Sequence, residues 1–437
     1  MSDGVPLGRS AGSRAASGAD DDRLELRLAE YSSAIVPYDR LTSADRRRLA
    51  DLEARKALRV TEARHGWQIT ADAVVGVLVL DRVRLVIDPK LAISGDQLIR
   101  WLRYALATPV PHQPSLRRWQ TSRHGIADLI AAELVAECRE LLRGGLRRDY
   151  VPRSGVDTVL RGRLDVTSQI TRRFGQIDRL HVRTFDRETG IWENELCGAA
   201  LRVAARITSN EVLARDIATI ATQFPDSPRL EPVLRKLDRS RYNRLNSRYR
   251  VAHTWSELIL RGGGVTDLLA DTGQAADSLL LRMSALWEAV VRALVQDVVR
   301  PLGGVVTDSS RGQGITMTGD LASRSPFRPD VLVRFGPSSA PAYLPLDAKY
   351  KSYDARRVSS RDVHQLLTYV DGYTATGSAA IVYPSEAGAI QRRLDVKGPR
   401  GKLGTIAVLG LDVRQAPIDA AEPLRRFLRA AMDQHQS

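Results

Sequence analysis

The sequence predicts a multidomain α/β protein, and three observations lead to this prediction. The chain has 437 residues, more than one hydrophobic core usually supports. Its last third shows apolar patterns in the order helix, three strands, helix, strand, which is typical of mixed α/β layers. Its middle is dominated by amphipathic helical patterns. We therefore expect a small mixed N-terminal domain, a mainly helical middle domain and a C-terminal mixed sheet flanked by helices.

Composition divides the chain further. The first residues are mostly Gly, Ser, Ala and Asp with little to bury, which predicts a disordered tail. Pro109, Pro111 and Pro114 indicate a linker. The predicted segments are the tail at 1–22, the N-terminal domain at 23–110, the middle domain at 111–275 and the C-terminal domain at 276–437.

Individual elements follow from local patterns. A helix is expected from a cap near Thr42 or Ser43, because these residues accept hydrogen bonds from free backbone amides. The other helices predicted from 3.6-residue periodicity are one around Leu98 to Leu106, Ile126–Leu142, Glu193–Ile207, Asp277–Arg300, Arg361–Tyr373 and Ala420–Met432. The predicted strands are Val74–Leu80, Val83–Ile87, Gly304–Asp308, Pro329–Phe335, Ala342–Lys349, Ala379–Tyr383 and Thr405–Leu411.

Charge and cysteine content restrict the function class. Lysine and arginine number 65 against 51 acidic residues, giving a net charge of +14, which favours a polyanionic partner such as nucleic acid. Genomic base composition or a solvated basic face would give the same excess. Two cysteines, Cys138 and Cys197, are far apart in the sequence, which excludes a disulfide framework and a paired-cysteine zinc site. With no signal-like or membrane-spanning apolar run, a soluble, cytoplasmic protein without a membrane partner is expected.

Cations alternate with two tyrosines between Arg235 and Arg250. Such a stretch can hold phosphates and stack on bases or sugars. Equally, it can be a surface helix whose arginines are solvated while its leucines and tyrosines pack inward. Both interpretations stay open from the sequence. The candidate DNA-contacting residues are Arg239, Arg241, Tyr242, Arg244, Arg248 and Tyr249.

Two carboxylates in the last third have the arrangement of a metal site. Asp330 opens one predicted strand, and Asp347 and Lys349 close the next. Side chains alternate along a strand, so Asp347 and Lys349 share a face, and a hairpin would bring Asp330 beside Asp347. Mg²⁺ prefers oxygen ligands, and a lysine beside a metal site can orient an attacking water. The alternative is a simple ion pair between Asp347 and Lys349 at a sheet edge.

Three further polar residues are expected near this pair. Gln365 and Tyr369 are four apart on the following helix and therefore share a face. Glu288 borders the apolar side of the preceding long helix and is a candidate for one more metal-binding carboxylate. The serine elbow pattern Gly8–Gly12 lies in the predicted tail and the Gly398–Lys402 segment lacks phosphate-loop spacing, so neither predicts a site.

The ordered set Glu288, Pro329-Asp330, Asp347-Ala-Lys349 and Gln365-x-x-x-Tyr369 resembles the PD-(D/E)xK nuclease superfamily in its RecB-like branch. More narrowly, the chain resembles the McrC family, the nuclease subunits of the McrBC modification-dependent restriction system. Most of residues 25 to 412 contribute to this resemblance. Within the nuclease set, the resemblance includes the segments Leu286-Trp-Glu288 and Asp347–Lys351. The segments that carry it upstream are Val75-Gly-Val77, Ile87-Asp-Pro-Lys90, Gly145–Tyr150, Arg161-Gly-Arg163 and Asn194.

The resemblance implies roles for these residues. Asp330 and Asp347 would bind Mg²⁺ with help from Glu288, Lys349 would serve the attacking water, and Gln365 and Tyr369 would support the site. It also implies that the N-terminal domain docks on a separate McrB-like AAA+ GTPase ring, stimulates its hydrolysis and receives DNA that the partner recognises. The N-terminal extension and the arginine content depart from the family pattern.

The leading hypothesis is therefore a Mg²⁺-dependent DNA endonuclease subunit of a restriction system that acts in antiviral defence. One alternative is a stand-alone RecB-like nuclease in defence or repair, which would need no GTPase. Another is a non-catalytic DNA-binding regulator of a GTPase, which would have no reason to keep Asp330, Asp347, Lys349 and Gln365 together.

Overall fold

The computed structural model describes residues 23–107, 125–226, 230–262, 278–307, 314–316, 327–337, 339, 341–374 and 377–436. The predicted tail at 1–22, the proline linker and the Gly8–Gly12 pattern lie outside these residues. The chain separates into two compact units. The first contains the described residues up to 107 and from 280 onward, and the second contains those between 125 and 279. The division into four functional segments stays a prediction.

The described elements are numbered in chain order. The strands are β1 Leu24–Ala29, β2 Ser33–Val36, β3 Leu58–Ala63, β4 Gly66–Ala71, β5 Val74–Val79, β6 Val83–Asp88, β7 Asp149–Asp157, β8 Arg163–Leu164, β9 Leu180–Glu188, β10 Ser278–Arg282, β11 Val305–Val306, β12 Val331–Phe335, β13 Ala342–Ala348, β14 Ser378–Ser385, β15 Ile390–Gly398 and β16 Gly401–Asp412. The helices are α1 Ser43–Ala54, α2 Gly95–Ala105, α3 Gly125–Arg143, α4 Val166–Arg173, α5 Trp192–Ile207, α6 Glu211–Ala221, α7 Leu230–Arg239, α8 Arg250–Leu260, α9 Met283–Val299, α10 Ser360–Tyr373, α11 Pro417–Ala420 and α12 Glu422–Gln436.

The N-terminal part of the first unit contains two sheets, in the orders β2-β4-β3 and β1-β6-β5-β10. The predicted cap of α1 is confirmed: the Thr42 side chain accepts from the Asp45 amide, and the Asp45 carboxylate accepts from the Thr42 amide. The predicted apolar strands correspond to β5 and β6, which pair antiparallel and are almost wholly buried. Their side chains share a core with Leu28, Leu49 and Ile69.

The C-terminal part of the first unit is built on a mixed sheet in the order β11-β12-β13-β14-β16-β15. β12 and β13 are antiparallel, whereas β13, β14 and β16 run parallel to one another. Helix α9 packs on β11, β12 and β13, α10 packs on β13, β14 and β16, and α12 packs on β16 and α9. A mixed sheet with packed helices agrees with the α/β expectation; its assignment to the PD-(D/E)xK fold stays a prediction.

Two segments of this part differ from the sequence expectation. The helix predicted from Asp277 begins only at Met283, because Leu279, Leu280 and Leu281 are buried in strand β10. Strand β15 was not expected, since most of its side chains are exposed and polar. It forms through backbone pairing with β16 rather than through an apolar face.

The second unit combines helices with a small sheet. Helices α3, α5, α6 and α8 pack around buried side chains, and α7 packs on α5. The sheet has the order β7-β9-β8, with α4 against β9. This unit is therefore mainly helical, as expected, although the sheet was not anticipated. Across the described ranges, no helix has both the length and the apolar character needed to cross a membrane.

Candidate active site

The antiparallel pairing of β12 with β13 places two aspartates together. Val331 pairs with Leu346, so Asp330 at the start of β12 lies opposite Asp347 near the end of β13. The Ala348 amide donates to Asp330 Oδ2 at 2.7 Å. The side chain of Asp347 is only 1% exposed. The hairpin geometry expected from the sequence is therefore present.

Lys349 lies directly beside this pair. Its Nζ is 2.6 Å from Asp347 Oδ2 and donates to Gln365 Oε1 at 3.1 Å. Its backbone amide donates to Val382 O of β14 at 3.0 Å, which fixes the chain just after β13. The ammonium is thus held between a carboxylate and an amide oxygen, with 22% of the side chain exposed.

Helix α10 contributes the two residues that were expected to share a face. Gln365 Nε2 donates to Asp347 Oδ1 at 3.2 Å and to the Tyr369 hydroxyl at 3.0 Å. Because its Oε1 accepts from Lys349, the three contacts together set the orientation of the amide. Gln365 therefore connects Asp347 of β13, Lys349 and Tyr369 of α10 in one hydrogen-bonded group.

The backbone that carries Asp330 is held from two helices. The Tyr369 hydroxyl donates to Arg328 O at 2.6 Å, just before Pro329. Arg292 of α9 donates to Asp330 O at 3.1 Å. Sequence analysis missed Arg292, although it lies one helical turn after Glu288 on the same face, a spacing that could have identified it.

A second acidic group beside the site was also missed. Asp362, near the start of α10, is 4% exposed and accepts from Lys351 Nζ and from the Tyr353 hydroxyl, each at 2.6 Å. Its charge contributes to raising the pKa of Asp347. These contacts tie the start of α10 to the segment that follows Lys349. The Lys351-x-Tyr353 spacing gave no sequence signal for this role.

The electrostatics show an excess of negative charge at the aspartate pair. Burial, followed by the charges of Asp347 and Glu288, raises the pKa of Asp330 to about 8. Burial also raises the pKa of Asp347, while the Lys349 ammonium opposes this shift. Glu288 is therefore close enough to act on Asp330, which places it at the site as the sequence suggested; its role as a direct ligand stays a prediction.

The donor set fits a hard divalent cation. Among the described residues, no three His, Cys, Asp or Glu side chains come close enough to complete a metal site by themselves. Mg²⁺ keeps several waters and is commonly held by one or two carboxylates, so the pair Asp330 and Asp347 suffices. Zn²⁺ would favour histidine and cysteine ligands, which the site does not offer among these side chains.

The predicted DNA-contacting stretch lies in the second unit, between the end of α7 and the start of α8. Arg239, Arg241 and Arg244 are exposed, and their DNA contacts stay a prediction. Arg248 is also exposed, but it donates to Gly144 O at 3.1 Å, so part of its hydrogen-bonding capacity is used within the chain.

The prediction for Tyr249 requires a correction, whereas that for Tyr242 stays a prediction. Tyr249 is 0% exposed; its hydroxyl donates to Asn194 Oδ1 at 2.7 Å and accepts from the Arg147 amide at 2.8 Å. Tyr242 is half-buried, and its hydroxyl bonds to His253 Nδ1 at 2.9 Å. The Tyr249 ring cannot stack on a base while it fills the core, so the inward-packing interpretation holds for it.

Comparison with known proteins identifies a family and a fold. The family model described as McrBC 5-methylcytosine restriction system component matches residues 69–384. No curated protein matches the chain. A chain from the refined half-complex of the tetradecameric assembly of Thermococcus gammatolerans McrB AAA+ hexamers with bound McrC is similar over 93% of this chain and 100% of that chain, at 18% identity and TM-score 0.61. A chain from the cryo-EM structure of the Thermococcus gammatolerans McrBC complex matches 63% of this chain and 88% of that chain, at 15% identity and TM-score 0.43. The first similarity shows a shared fold.

Proposed function

This chain belongs to the family of McrBC 5-methylcytosine restriction system components, and on that premise we propose that it is the McrC-type, Mg²⁺-dependent endonuclease subunit of a modification-dependent restriction system. The observation that carries the proposal is that Asp330 and Asp347 lie opposite each other on β12 and β13, with Lys349 bonded to Asp347 and both of these held by the Gln365 amide. Two carboxylates that can hold a divalent cation, with a lysine beside them to orient a water, can support phosphodiester hydrolysis. DNA is the proposed substrate.

The site residues divide the work of hydrolysis. Asp330 and Asp347 would hold Mg²⁺, with Glu288 nearby. When bound, the ion neutralises charge on the scissile phosphate and lowers the pKa of an attacking water. Lys349 orients that water and stabilises the negative charge that develops on the phosphate.

Gln365 and Tyr369 act by holding other groups in place. Gln365 fixes the relative positions of Asp347 and Lys349, since it contacts both side chains. Tyr369 fixes the backbone that leads into Asp330 through Arg328 O. Errors of about 1 Å at a site of this kind can reduce rates by about a hundredfold. We therefore assign both residues to positioning.

We further propose that the chain works with a McrB-like AAA+ GTPase ring. In the Thermococcus gammatolerans assembly, McrC is bound to McrB AAA+ hexamers. In the present chain, docking through residues 23–110 and stimulation of GTP hydrolysis remain part of this proposal. The stand-alone nuclease differs from it by needing neither the ring nor GTP.

Plasmid cleavage tests the proposal. The purified chain is incubated with Mg²⁺ on methylated and unmethylated plasmid, with and without the McrB-like GTPase and GTP. Cleavage that requires the partner, GTP and methylation supports the restriction subunit, whereas cleavage by the chain alone supports the independent nuclease.

The matched variants are Asp347→Asn and Asp419→Asn. Asp419 is exposed in α11, so its amide variant controls for the loss of one acidic charge. We expect cleavage to be lost only in Asp347→Asn. Equal cleavage by both variants would show that the active site lies elsewhere, and stimulation of GTP hydrolysis without cleavage would favour the non-catalytic regulator.

A further inference from the structure

Lys90 makes a long-range contact beside the candidate active site. It follows strand β6, and its Nζ donates to the backbone carbonyl of Tyr350 at 3.0 Å. The same ammonium lies 4.3 Å from the centroid of the Tyr350 ring and 4.6 Å from that of Tyr31. Tyr350 is the residue after Lys349. A cation from the N-terminal part of the unit is therefore bonded to the backbone next to the catalytic lysine.

The parallel pairing of β1 with β6 explains how these groups meet. Ala29 pairs with Asp88, and the Glu30 amide donates to Asp88 O at 3.0 Å. Residues just after the two strands consequently emerge at the same edge of the sheet. Glu30 and Tyr31 come from one strand end and Lys90 from the other.

Tyr31 is held in an unfavourable backbone conformation. Its φ is 60°, in the left-handed region that bulky residues rarely occupy and that costs about 1–2 kcal/mol per residue. Its side chain is 52% exposed, so core packing does not account for the conformation. What the conformation provides is an aromatic face over the Lys90 ammonium. Tyr31 also lies in the turn between β1 and β2, where the Ser32 amide donates to Ala29 O at 3.1 Å.

Tyr350 is held at its other end as well. Its hydroxyl donates to Glu30 Oε1 at 3.2 Å, and Glu30 is 4% exposed. The side chain is thus tied to β1, and the backbone carbonyl is tied to Lys90. At the other end of the Lys349–Tyr350 dipeptide, the Lys349 amide is bonded to Val382 O. The backbone between Lys349 and Tyr350 is fixed from both directions.

We propose that Lys90 is a positioning residue for Lys349. By holding the Tyr350 carbonyl, Lys90 keeps the Lys349 ammonium directed at the aspartate pair. This inference rests on the proposed nuclease function for the role of Lys349. Without the bond to Tyr350 O, the Lys349–Tyr350 dipeptide could rotate, which would move the Lys349 side chain away from Gln365 Oε1 and Asp347 Oδ2. The contact also connects the N-terminal sheet to the catalytic strand.

Hydrogen exchange tests the positioning without requiring cleavage. In Lys90→Met, we expect the Lys349 amide to exchange about tenfold faster than in the wild type, because local opening of that segment becomes easier. The amides of β12 should be unchanged. Arg64→Met, which removes an exposed cation from the same part of the chain, is the matched control. Unchanged exchange at the Lys349 amide in Lys90→Met would overturn the proposal.

Cleavage kinetics distinguish positioning from a general structural role. Lys90→Met should lower kcat about tenfold while KM for DNA stays the same, since substrate contacts are untouched. Lys90→Arg should restore much of kcat, because a guanidinium can still donate to the carbonyl. A rise in KM with unchanged kcat would contradict positioning. If the wild type fails to cleave with its partner present, the proposed function fails, and hydrogen exchange still decides the positioning.

Tyr31→Gly provides a second variant that should fold even if Lys90→Met does not. Glycine adopts positive φ without steric cost. The variant is expected to keep its thermal stability while the Lys349 amide exchanges faster and kcat falls, by less than in Lys90→Met. Wild-type exchange and kcat in Tyr31→Gly would contradict a role for the aromatic face. Lower thermal stability with unchanged kcat would make the contact purely structural.

Discussion

Two buried polar networks of this chain satisfy their charges in different ways. In the second unit, Arg147 Nη1 lies 2.6 Å from Glu193 Oε1, and the side chains are 19% and 2% exposed. Asn194 Nδ2 donates to Arg147 O at 2.9 Å, and Tyr249 donates to Asn194 Oδ1 at 2.7 Å. Cation, anion and amide are paired within the protein. We call this set the Arg147 network.

The aspartate pair of the first unit is different. Asp330 and Asp347 lie together with Glu288 nearby, and Lys349 is the cation in contact with Asp347. Burial and like charges raise the pKa of Asp330, and they outweigh the lowering by the Ala348 amide and the Lys349 ammonium. A network that only stabilises a fold has no reason to collect like charges. The comparison supports the proposal that the aspartate pair binds a cation, whereas the Arg147 network has its charges paired within the fold.

The largest expected effect is on catalysis. Asp347→Asn should reduce the rate of DNA cleavage by about a thousandfold, because it removes one of the two carboxylates proposed to hold Mg²⁺. Single-turnover cleavage at saturating Mg²⁺ measures this effect. Thermal unfolding in EDTA should show no loss of stability. If Asp347→Asn lost both activity and thermal stability, the role of Asp347 would be to stabilise the fold, as proposed for the Arg147 network.

Arg147→Met should lower the stability of the protein rather than act directly on catalysis. Removing one partner of a buried ion pair typically costs about 3 kcal/mol, because the other charge is left unpaired. We expect the free energy of unfolding, measured by urea denaturation, to fall by about this amount in Arg147→Met. Arg148 is exposed, and Arg148→Met is the control. Equal stability of the two variants would contradict the structural role of the network.

The pH dependence of stability should separate the two regions further. The folded-state pKa of Asp330 is raised from 3.8 to about 8, so the folded state binds the proton more tightly than the unfolded state does. This tighter proton binding stabilises the folded state. In EDTA, the stabilisation is fully present below about pH 4, and the free energy of unfolding falls by on the order of 1 kcal/mol per pH unit as pH rises to about 8. Urea denaturation of the wild type across this range measures the slope.

Asp330→Asn is the matched variant for that measurement, since it removes the titrating group and keeps the shape. Its stability in EDTA should vary less with pH than that of the wild type. Mg²⁺ should stabilise the wild type most at high pH, where the carboxylate is ionised, and should have little effect on Asp330→Asn. An equal effect of Mg²⁺ on both proteins would place the cation elsewhere.

Local spacing predicted which residues of the candidate site lie together better than it predicted which residues of the charged stretch are exposed, for a physical reason. Alternation along a strand determines which side chains share a face, and a four-residue helical spacing does the same for Gln365 and Tyr369. A run of arginines and tyrosines has no comparable rule, so the burial of Tyr249 could not be read from it. The Lys90 to Tyr350 contact spans 260 positions and depends on how two sheets pack. Strand β15 was missed because backbone pairing, rather than side-chain pattern, specifies it.

The smallest expected effect concerns the exposed arginines that remain DNA-binding candidates after the correction for Tyr249. Changing Arg239, Arg241 and Arg244 together to glutamine should weaken DNA binding and reduce its salt dependence, by a slope of about 0.9 for each phosphate that is no longer neutralised. Fluorescence anisotropy across a salt series measures both quantities.

Arg47, Arg59 and Arg64 are exposed in the first unit, and their triple glutamine variant controls for the loss of net charge. Equal slopes in the two triple variants would mean that the stretch acts only through the overall charge of +14. A lower slope in the first variant alone would mean that the second unit binds DNA directly, through its exposed arginines, while Tyr249 remains in the core.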